Sequence, residues 1–270
     1  MFSCSLEKAD GQRKTIGMKL QGAKEQKMGR KKGFYEKYIK RGFDIFCSGL
    51  AVICFGWLYL ILAVLVKIKL GSPVLFIQPR PGMADSKTGK EKIIKMCKFR
   101  TMTGQRDEHG KLLPDEMRLT DFGKILRRTS LDELPEVFNI LKGDMSIIGP
   151  RPQLVRDMVF MTKEQRTRHT VRPGLSGLAQ VNGRNGIKWE EKLSWDLKYI
   201  ENITFMEDMK IIVQTVKKAF VKQEGITEEN MATAEDFGDY LLRTGKIDQD
   251  EYEKKQAEAK EILSGRKTDG

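Results

Sequence analysis

The sequence is poor in the residues that bind transition metals. It has 4 cysteines, none in a Cys-x-x-Cys pair, and 2 histidines, His109 and His169. Because Cys47 and Cys54 lie in an apolar stretch, neither a disulfide framework nor a zinc site is expected. Both histidines lie among polar residues, and we expect them at the surface. A reducing, cytoplasmic environment agrees with this use of cysteine.

The sequence also lacks an internal repeat and a cleavable signal peptide. Its long apolar run begins only at Ile45 and is not followed by the small-residue pattern of a cleavage site. The sequence has one Asp-x-Asp triplet, Asp248 to Asp250, which lies in the acidic tail. A nucleotide-sugar transferase of the Asp-x-Asp type is therefore poorly supported.

Acidic residues are scarce at the start of the chain. Residues 1–42 hold 12 Lys or Arg against 4 Asp or Glu, whereas residues 226–270 hold 7 against 12. The net charge of +12 suits nucleic acid, anionic lipid or a phosphorylated substrate. The expected organisation is a basic extension (1–35), a membrane-embedded helix (36–70), a catalytic domain (71–225) and an acidic tail (226–270).

The apolar run Ile45 to Val66 has 22 residues without a charge and without proline. About 20 such residues can cross a hydrocarbon core. Basic residues flank both ends, so a helix that bends and returns to the cytoplasmic face satisfies the preference for cytoplasmic Lys and Arg better than a spanning one. Gly56, near the midpoint, is the expected place of the bend. The run also argues against a nucleic-acid binder.

The rest of the chain predicts a mainly α fold with a small β-hairpin. Val74 to Gln78 and Lys92 to Phe99 read as the two strands of the hairpin. Residues 104–118 are expected to form a loop, and apolar residues return at helical spacing from Leu119 to Lys142. Thr120 or Asp121 could cap the first turn of this helical segment, and Thr129 or Ser130 its second. Two amphipathic stretches in 187–222 suit either a membrane interface or the core of the domain.

The segment RRTSLDELPE, Arg127 to Glu136, contains adjacent carboxylates at Asp132 and Glu133. Adjacent helical positions point about 100° apart, so the two can do different jobs. An ionised Asp can attack phosphorus, and a neighbouring Glu can bind Mg²⁺. Capping of a helix or a solvated helix face would give the same pair.

Three further segments present cations that could bind phosphate. Gly149 to Pro152 form a stiff turn that carries Arg151, and a plain turn would look the same. The Gly-rich stretch Arg172 to Arg184 is the second segment, and such loops with basic residues commonly cradle phosphate, although the pattern is unspecific. The third segment, Lys98 to Met102, supplies two cations at the end of the second predicted strand. The candidate substrate-binding residues are Arg127, Arg128, Arg151, Lys98, Arg100, Arg172 and Arg184.

These segments in this order resemble the bacterial sugar transferases, the monotopic polyprenyl-phosphate phosphoglycosyl transferases. The stretches that carry the resemblance run from about Lys40 to Phe220. They are KRGFDIF, GSPVLFIQPRPG, KFRTM, LRRTSLDELPEVFNILKGDMSIIGPRP, RPGLSGLAQVNGR and DLKYIENITFMEDMKII.

The resemblance implies a re-entrant membrane helix, a compact cytoplasmic catalytic domain and interfacial helices at a bacterial inner membrane. It implies that Asp132 attacks the β-phosphate of a UDP-sugar, that UMP leaves, and that undecaprenyl phosphate takes the sugar phosphate from the aspartyl intermediate. Glu133 would associate with Mg²⁺, the implied cofactor. In place of the Ser-Pro pair that breaks the membrane helix in the family, this chain has Gly56 and Trp57.

A catalytically inactive, membrane-tethered scaffold for glycan assembly is the alternative. The intact Asp132–Glu133 pair together with Arg151 argues against it, because a scaffold does not need these residues. The sequence leaves open the transferred sugar, the glycan that is built and whether the chain forms a homodimer.

Overall fold

The computed structural model describes residues 32–183, 187–220 and 235–265. The predicted basic extension thus lies almost wholly outside the described residues. The helices are α1 Lys40–Leu70, α2 Asp115–Arg118, α3 Asp121–Arg128, α4 Glu136–Lys142, α5 Val155–Met158, α6 Lys163–Arg166, α7 Leu178–Asn182, α8 Trp189–Glu201, α9 Phe205–Phe220, α10 Phe237–Arg243 and α11 Gln249–Ser264. The strands are β1 Leu75–Ala84, β2 Glu91–Phe99, β3 Ser146–Ile148 and β4 Gly174–Ser176.

A single apolar helix contains the predicted membrane segment. Among the described residues, only Tyr35–Leu70, a π-helical turn followed by α1, is long and apolar enough to cross a membrane. Just 11% of its most apolar 18-residue stretch is buried, unlike the core helix of a soluble domain. The helix continues through Gly56, which keeps the backbone N–H that a proline would remove. The re-entrant path therefore stays a prediction.

The predicted hairpin is confirmed. β1 and β2 pair antiparallel, with Leu75 opposite Phe99, and β1 continues to Ala84, beyond the predicted end at Gln78. A second sheet was missed: β3 pairs parallel with β4, Ser146 lying opposite Gly174. Strands of three residues are too short to show an alternating pattern, so the sequence around β3 predicted only a turn.

The helical segment predicted from Leu119 to Lys142 is interrupted in its middle. Thr120 caps α3 by accepting a hydrogen bond from the Gly123 N–H, as predicted. The helix then stops, Ser130 adopts a left-handed conformation (φ 56°), and residues 131–133 form a 3₁₀ turn. Pro135 directly precedes α4, where its missing N–H costs nothing. The break places the predicted carboxylate pair in a tight turn between two helices.

The two amphipathic helices have different environments. α8 buries its apolar stripe, including Trp189 and Leu193, in the core. α9 buries Ile211 but leaves Met206 and Val213 more than 60% exposed, so its outer face suits a membrane interface. The loop predicted at residues 104–118 carries only the short helix α2.

Candidate active site

The carboxylate pair lies in the 3₁₀ turn between α3 and α4. Asp132 is 8% exposed, and Glu133 follows it at the end of the turn. The left-handed Ser130 reverses the chain just before the pair. Residues with a short polar side chain tolerate this conformation better than branched ones do. The turn therefore presents both carboxylates beside β2 and the loop that follows β3.

Two cations hold Glu133. Its Oε1 atom accepts hydrogen bonds from Lys98 Nζ at 2.7 Å and from Arg151 Nη2 at 2.5 Å. Lys98 comes from the end of β2 and Arg151 from the turn after β3, and their role in binding phosphate stays a prediction. Although burial opposes ionisation, the two cations hold the pKa of Glu133 well below its usual range. Glu133 is thus a fixed anion at neutral pH.

Asp132 has a different environment. Among the described residues, no donor makes a hydrogen bond to its carboxylate. Burial, reinforced by the negative charge of Glu133, raises the pKa of Asp132 to about 6, while Lys98 and the nearby arginines oppose that rise. At pH 7 the carboxylate is mostly ionised, poorly solvated and free of hydrogen bonds from the described protein. Such a carboxylate has the chemistry to attack an electrophilic phosphorus.

A third carboxylate, Glu136, was not predicted. It is 1% exposed in the first turn of α4 and lies 3.2 Å from Lys98 Nζ. Burial raises its pKa. The sequence carried a signal for it, because Glu136 follows Glu133 by three residues and such positions share a helix face. Lys98 thus lies between two carboxylates.

Two arginines donate hydrogen bonds to backbone carbonyls of the loop that carries Arg151, and the sequence did not predict either of them. Arg168 Nη2 donates to the Arg151 carbonyl at 2.6 Å, and Arg80 Nη1 donates to the Pro152 carbonyl at 3.2 Å. Arg168 is 1% exposed and pairs with the equally buried Asp196 of α8, 2.6 Å away. A sequence shows only an arginine in each case, since nothing in the local pattern reveals a contact across the fold.

The other predicted cations are dispersed. Arg127 lies near Asp132 and donates to Thr101 Oγ1 at 3.1 Å, whereas Arg128 is exposed. Arg172 Nε donates to the Gly143 carbonyl at 2.9 Å, at the far end of α4. Arg100 Nη1 donates to the Ser72 carbonyl at 2.8 Å. Arg184 lies outside the described residues.

The prediction for one histidine was wrong. His109 is exposed as expected, but His169 is 4% exposed and its Nδ1 lies 3.1 Å from Glu91 Oε1. Burial lowers the pKa of His169 to about 4, so it is neutral at pH 7. The prediction was based on the polar residues next to His169 in the sequence. These residues belong to a buried network that includes Arg168, so they do not indicate exposure.

The residues present fit a magnesium ion that is shared with a substrate. No cluster of three or more His, Cys, Asp or Glu side chains suited to a metal occurs in the described part of the chain. Mg²⁺ often takes only one or two carboxylates and completes its shell with water and substrate phosphates. Glu133 is ionised, and its Oε2 accepts no hydrogen bond from a described residue. That oxygen is a suitable ligand.

The fold and the site define a class of protein: one with a carboxylate-centred, cation-lined site in a domain that carries an exposed apolar helix. The chain belongs to the bacterial sugar transferase family, whose model matches residues 35–222. That range holds the apolar helix and every described residue of the site.

Three curated relatives illustrate the likeness. The chain is 45% identical over 199 residues to an uncharacterized sugar transferase, EpsL, of Bacillus subtilis (strain 168), covering 74% of this chain and 95% of that protein. It is 40% identical to UDP-glucose:undecaprenyl-phosphate glucose-1-phosphate transferase of Klebsiella pneumoniae, covering 68% of this chain and 40% of that protein. It is 37% identical to UDP-N-acetylgalactosamine-undecaprenyl-phosphate N-acetylgalactosaminephosphotransferase of Aeromonas hydrophila, with coverages of 67% and 43%. The chain spans less than half the length of the last two.

Proposed function

We propose that this chain transfers a sugar 1-phosphate from a UDP-sugar to undecaprenyl phosphate through a covalent intermediate on Asp132, with release of UMP. The observation that carries the proposal is the contrast within the carboxylate pair: Asp132 accepts no hydrogen bond from a described residue, while Glu133 is held by Lys98 and Arg151. The names of the relatives support the donor and acceptor classes. The reaction would be the first membrane step of a surface glycan pathway such as exopolysaccharide or lipopolysaccharide synthesis.

The proposed chemistry balances in two displacements at phosphorus. In the first, a carboxylate oxygen of Asp132 bonds to the β-phosphorus of the UDP-sugar, and the bond to the oxygen that bridges the two phosphates breaks. UMP leaves with that electron pair. In the second, a phosphate oxygen of undecaprenyl phosphate bonds to the same phosphorus, and the Asp132 carboxylate is released. No external proton donor is required.

The cations around the pair suit the charges of this reaction. Lys98, Arg127 and Arg151 all favour ionised Asp132 and keep the nucleophile charged despite its burial. Arg151 is 39% exposed on its side chain, so it can reach a bound diphosphate. A guanidinium binds phosphate oxygens in bidentate fashion, which fixes the angle of the phosphorus toward Asp132.

Glu133 would hold Mg²⁺ together with the diphosphate of the donor. The ion would neutralise phosphate charge and so make UMP a better leaving group. The residues that surround it, Lys98 and Arg151, keep Glu133 ionised and therefore ready to act as a ligand.

Contacts at both ends of the apolar helix support a re-entrant path. Near its start, Arg41 donates to the carbonyls of Ile140 and Leu141, and at its end Leu70 packs in one cluster with Phe99 and Leu126. Because both ends contact the same catalytic domain, both flanks belong on one face, which would be the cytoplasmic face of the inner membrane.

Release of UMP tests the proposal. Purified protein with Mg²⁺ and undecaprenyl phosphate is incubated with a panel of UDP-sugars that includes UDP-glucose and UDP-N-acetylgalactosamine. We expect UMP from at least one donor, and none from Asp132→Asn. The matched control is Asp121→Asn, which removes an exposed carboxylate of α3. A wild-type protein that releases no UMP would refute the proposal, and an Asp132→Asn variant that restores glycan assembly in cells would favour the scaffold.

A further inference from the structure

The C-terminal helical segment, residues 235–265, packs against the catalytic domain although it lies beyond the family match, which ends at residue 222. Ala259 of α11 is 2% exposed and lies in one cluster with Val155 and Met158 of α5. The ring of Tyr252 stacks on that of Phe160, with centroids 5.8 Å apart. The acidic composition of this segment predicted none of these contacts.

One buried carboxylate joins this segment to the loop that carries Arg151. Asp157 of α5 is 2% exposed. Its Oδ2 accepts a hydrogen bond from the Leu154 N–H at 3.0 Å, and its Oδ1 accepts one from the Phe237 N–H at 2.9 Å. Leu154 follows Arg151 by three residues. The Asp157 carboxylate thus bridges the backbone of the C-terminal segment and the backbone that follows Arg151.

A second set of contacts links the C-terminal segment to Arg151 through α8. The Phe237 ring packs on Trp189, the first residue of α8, with centroids 5.0 Å apart, and Trp189 Nε1 donates to the Glu235 carbonyl at 3.1 Å. The same helix carries Asp196, which holds the arginine that donates to the Arg151 carbonyl. Phe237 therefore contacts both Asp157, which binds the Leu154 N–H, and the helix that carries Asp196.

From these contacts we propose that the C-terminal helical segment is a positioning element that sets how tightly the site binds the diphosphate of the nucleotide-sugar donor. The inference rests on the proposed function. A loop that is ordered before binding loses less conformational entropy when it binds its ligand. With Phe237 in place, the loop that carries Arg151 is already ordered in the free enzyme. The donor therefore binds without the loss of conformational entropy that ordering this loop would cause.

The test displaces the segment without touching the site. A Cβ at Gly238 would meet the Phe160 ring at 2.5 Å, too close for a real contact, so in Gly238→Ala α10 and the Phe160 ring have to move apart. Phe237→Ala removes the ring on Trp189 without adding bulk. Both variants are expected to raise the KM for the UDP-sugar and the Kd of UMP by about three- to tenfold. The rate of transfer from preformed covalent adduct to undecaprenyl phosphate is expected to stay at the wild-type value.

Lys254→Ala, at an exposed position of α11, is the matched control and is expected to leave both constants unchanged. A segment that only stabilises the fold would reduce the amount of active enzyme and so Vmax, with KM and the Kd of UMP unaltered, and that result would overturn the inference. Wild-type protein that is inactive with every donor would instead overturn the proposed function. The two failures are therefore distinguishable.

Discussion

Arg151 Nη2 and Glu133 Oε1 lie 2.5 Å apart, so the arginine best placed to bind a phosphate already contacts a carboxylate. In the proposed reaction, the diphosphate of the donor would compete with Glu133 for this guanidinium. The same contact keeps Glu133 ionised and thus suited to a metal. The pair would therefore link the binding of the proposed donor to the release of a carboxylate that can bind a metal.

The first prediction concerns Glu133→Gln. The amide removes the negative charge that competes for Arg151 and Lys98, so UMP should bind several-fold more tightly in the presence of a chelator, while turnover with Mg²⁺ falls by at least about a hundredfold. Calorimetry with UMP and the UMP-release assay measure the two effects. Weaker binding of UMP to Glu133→Gln without metal would contradict the competition. Asp121→Asn, an exposed carboxylate, serves as the control.

The second prediction concerns pH. Because Asp132 must be ionised to attack and its pKa is raised to about 6, the rate of UMP release in the first half-reaction should fall as the pH drops below about 6. Arg127 opposes that raised pKa, so Arg127→Gln should move the acid limb to higher pH. Lys124→Gln, an exposed position on α3, should leave the limb where it is. An acid limb near the ordinary aspartate pKa would show that Asp132 is solvated.

The third prediction follows from the same raised pKa by linkage. A carboxyl group whose pKa is higher in the folded state favours folding when protonated, and that contribution is lost as the pH rises through about 6. Asp132→Asn should therefore be more stable than wild type at pH 8, by of the order of 2 to 3 kcal/mol, with the difference vanishing near pH 4. Thermal unfolding in detergent at both pH values measures it. Equal stabilities at pH 8 would contradict the burial of an ionised group.

The fourth prediction concerns the attachment of the apolar helix. Asp208 is 1% exposed and accepts hydrogen bonds from Lys40 Nζ at 2.5 Å, Tyr35 Oη at 2.9 Å and Tyr199 Oη at 2.8 Å. Asp208→Ala leaves a largely buried ammonium without its counterion, which typically costs about 3 to 5 kcal/mol. We expect a large drop in the unfolding midpoint. The double variant with Lys40→Met should recover part of it, and a double variant no more stable than Asp208→Ala would contradict the pairing.

The sequence predicted the parts of the fold whose signals are local. The apolar run, the hairpin and the Thr120 cap follow from composition, alternation and a single side chain. The parallel pairing of β3 with β4 was missed, because it joins segments 28 residues apart through strands too short to show a pattern. The break at Ser130 was also missed, since helical spacing of apolar residues continues across it.

The candidate site was predictable where a motif marks it and not where the fold assembles it. Asp132, Glu133, Lys98 and Arg151 come together as the sequence predicted. The contacts that hold these residues could not be predicted from the sequence. Arg168 donates to the Arg151 carbonyl, 17 residues away in the chain, and is paired in turn with Asp196 of α8. The burial of His169 likewise depends on contacts across the fold.

Intact-protein mass spectrometry of the enzyme incubated with a competent UDP-sugar, in the absence of undecaprenyl phosphate, tests the central claim most directly. The account predicts a mass increase equal to one sugar phosphate, located by fragmentation on Asp132, and its loss when undecaprenyl phosphate is added. No adduct on Asp132 in an enzyme that releases UMP only when both substrates are present would show direct transfer and contradict the account.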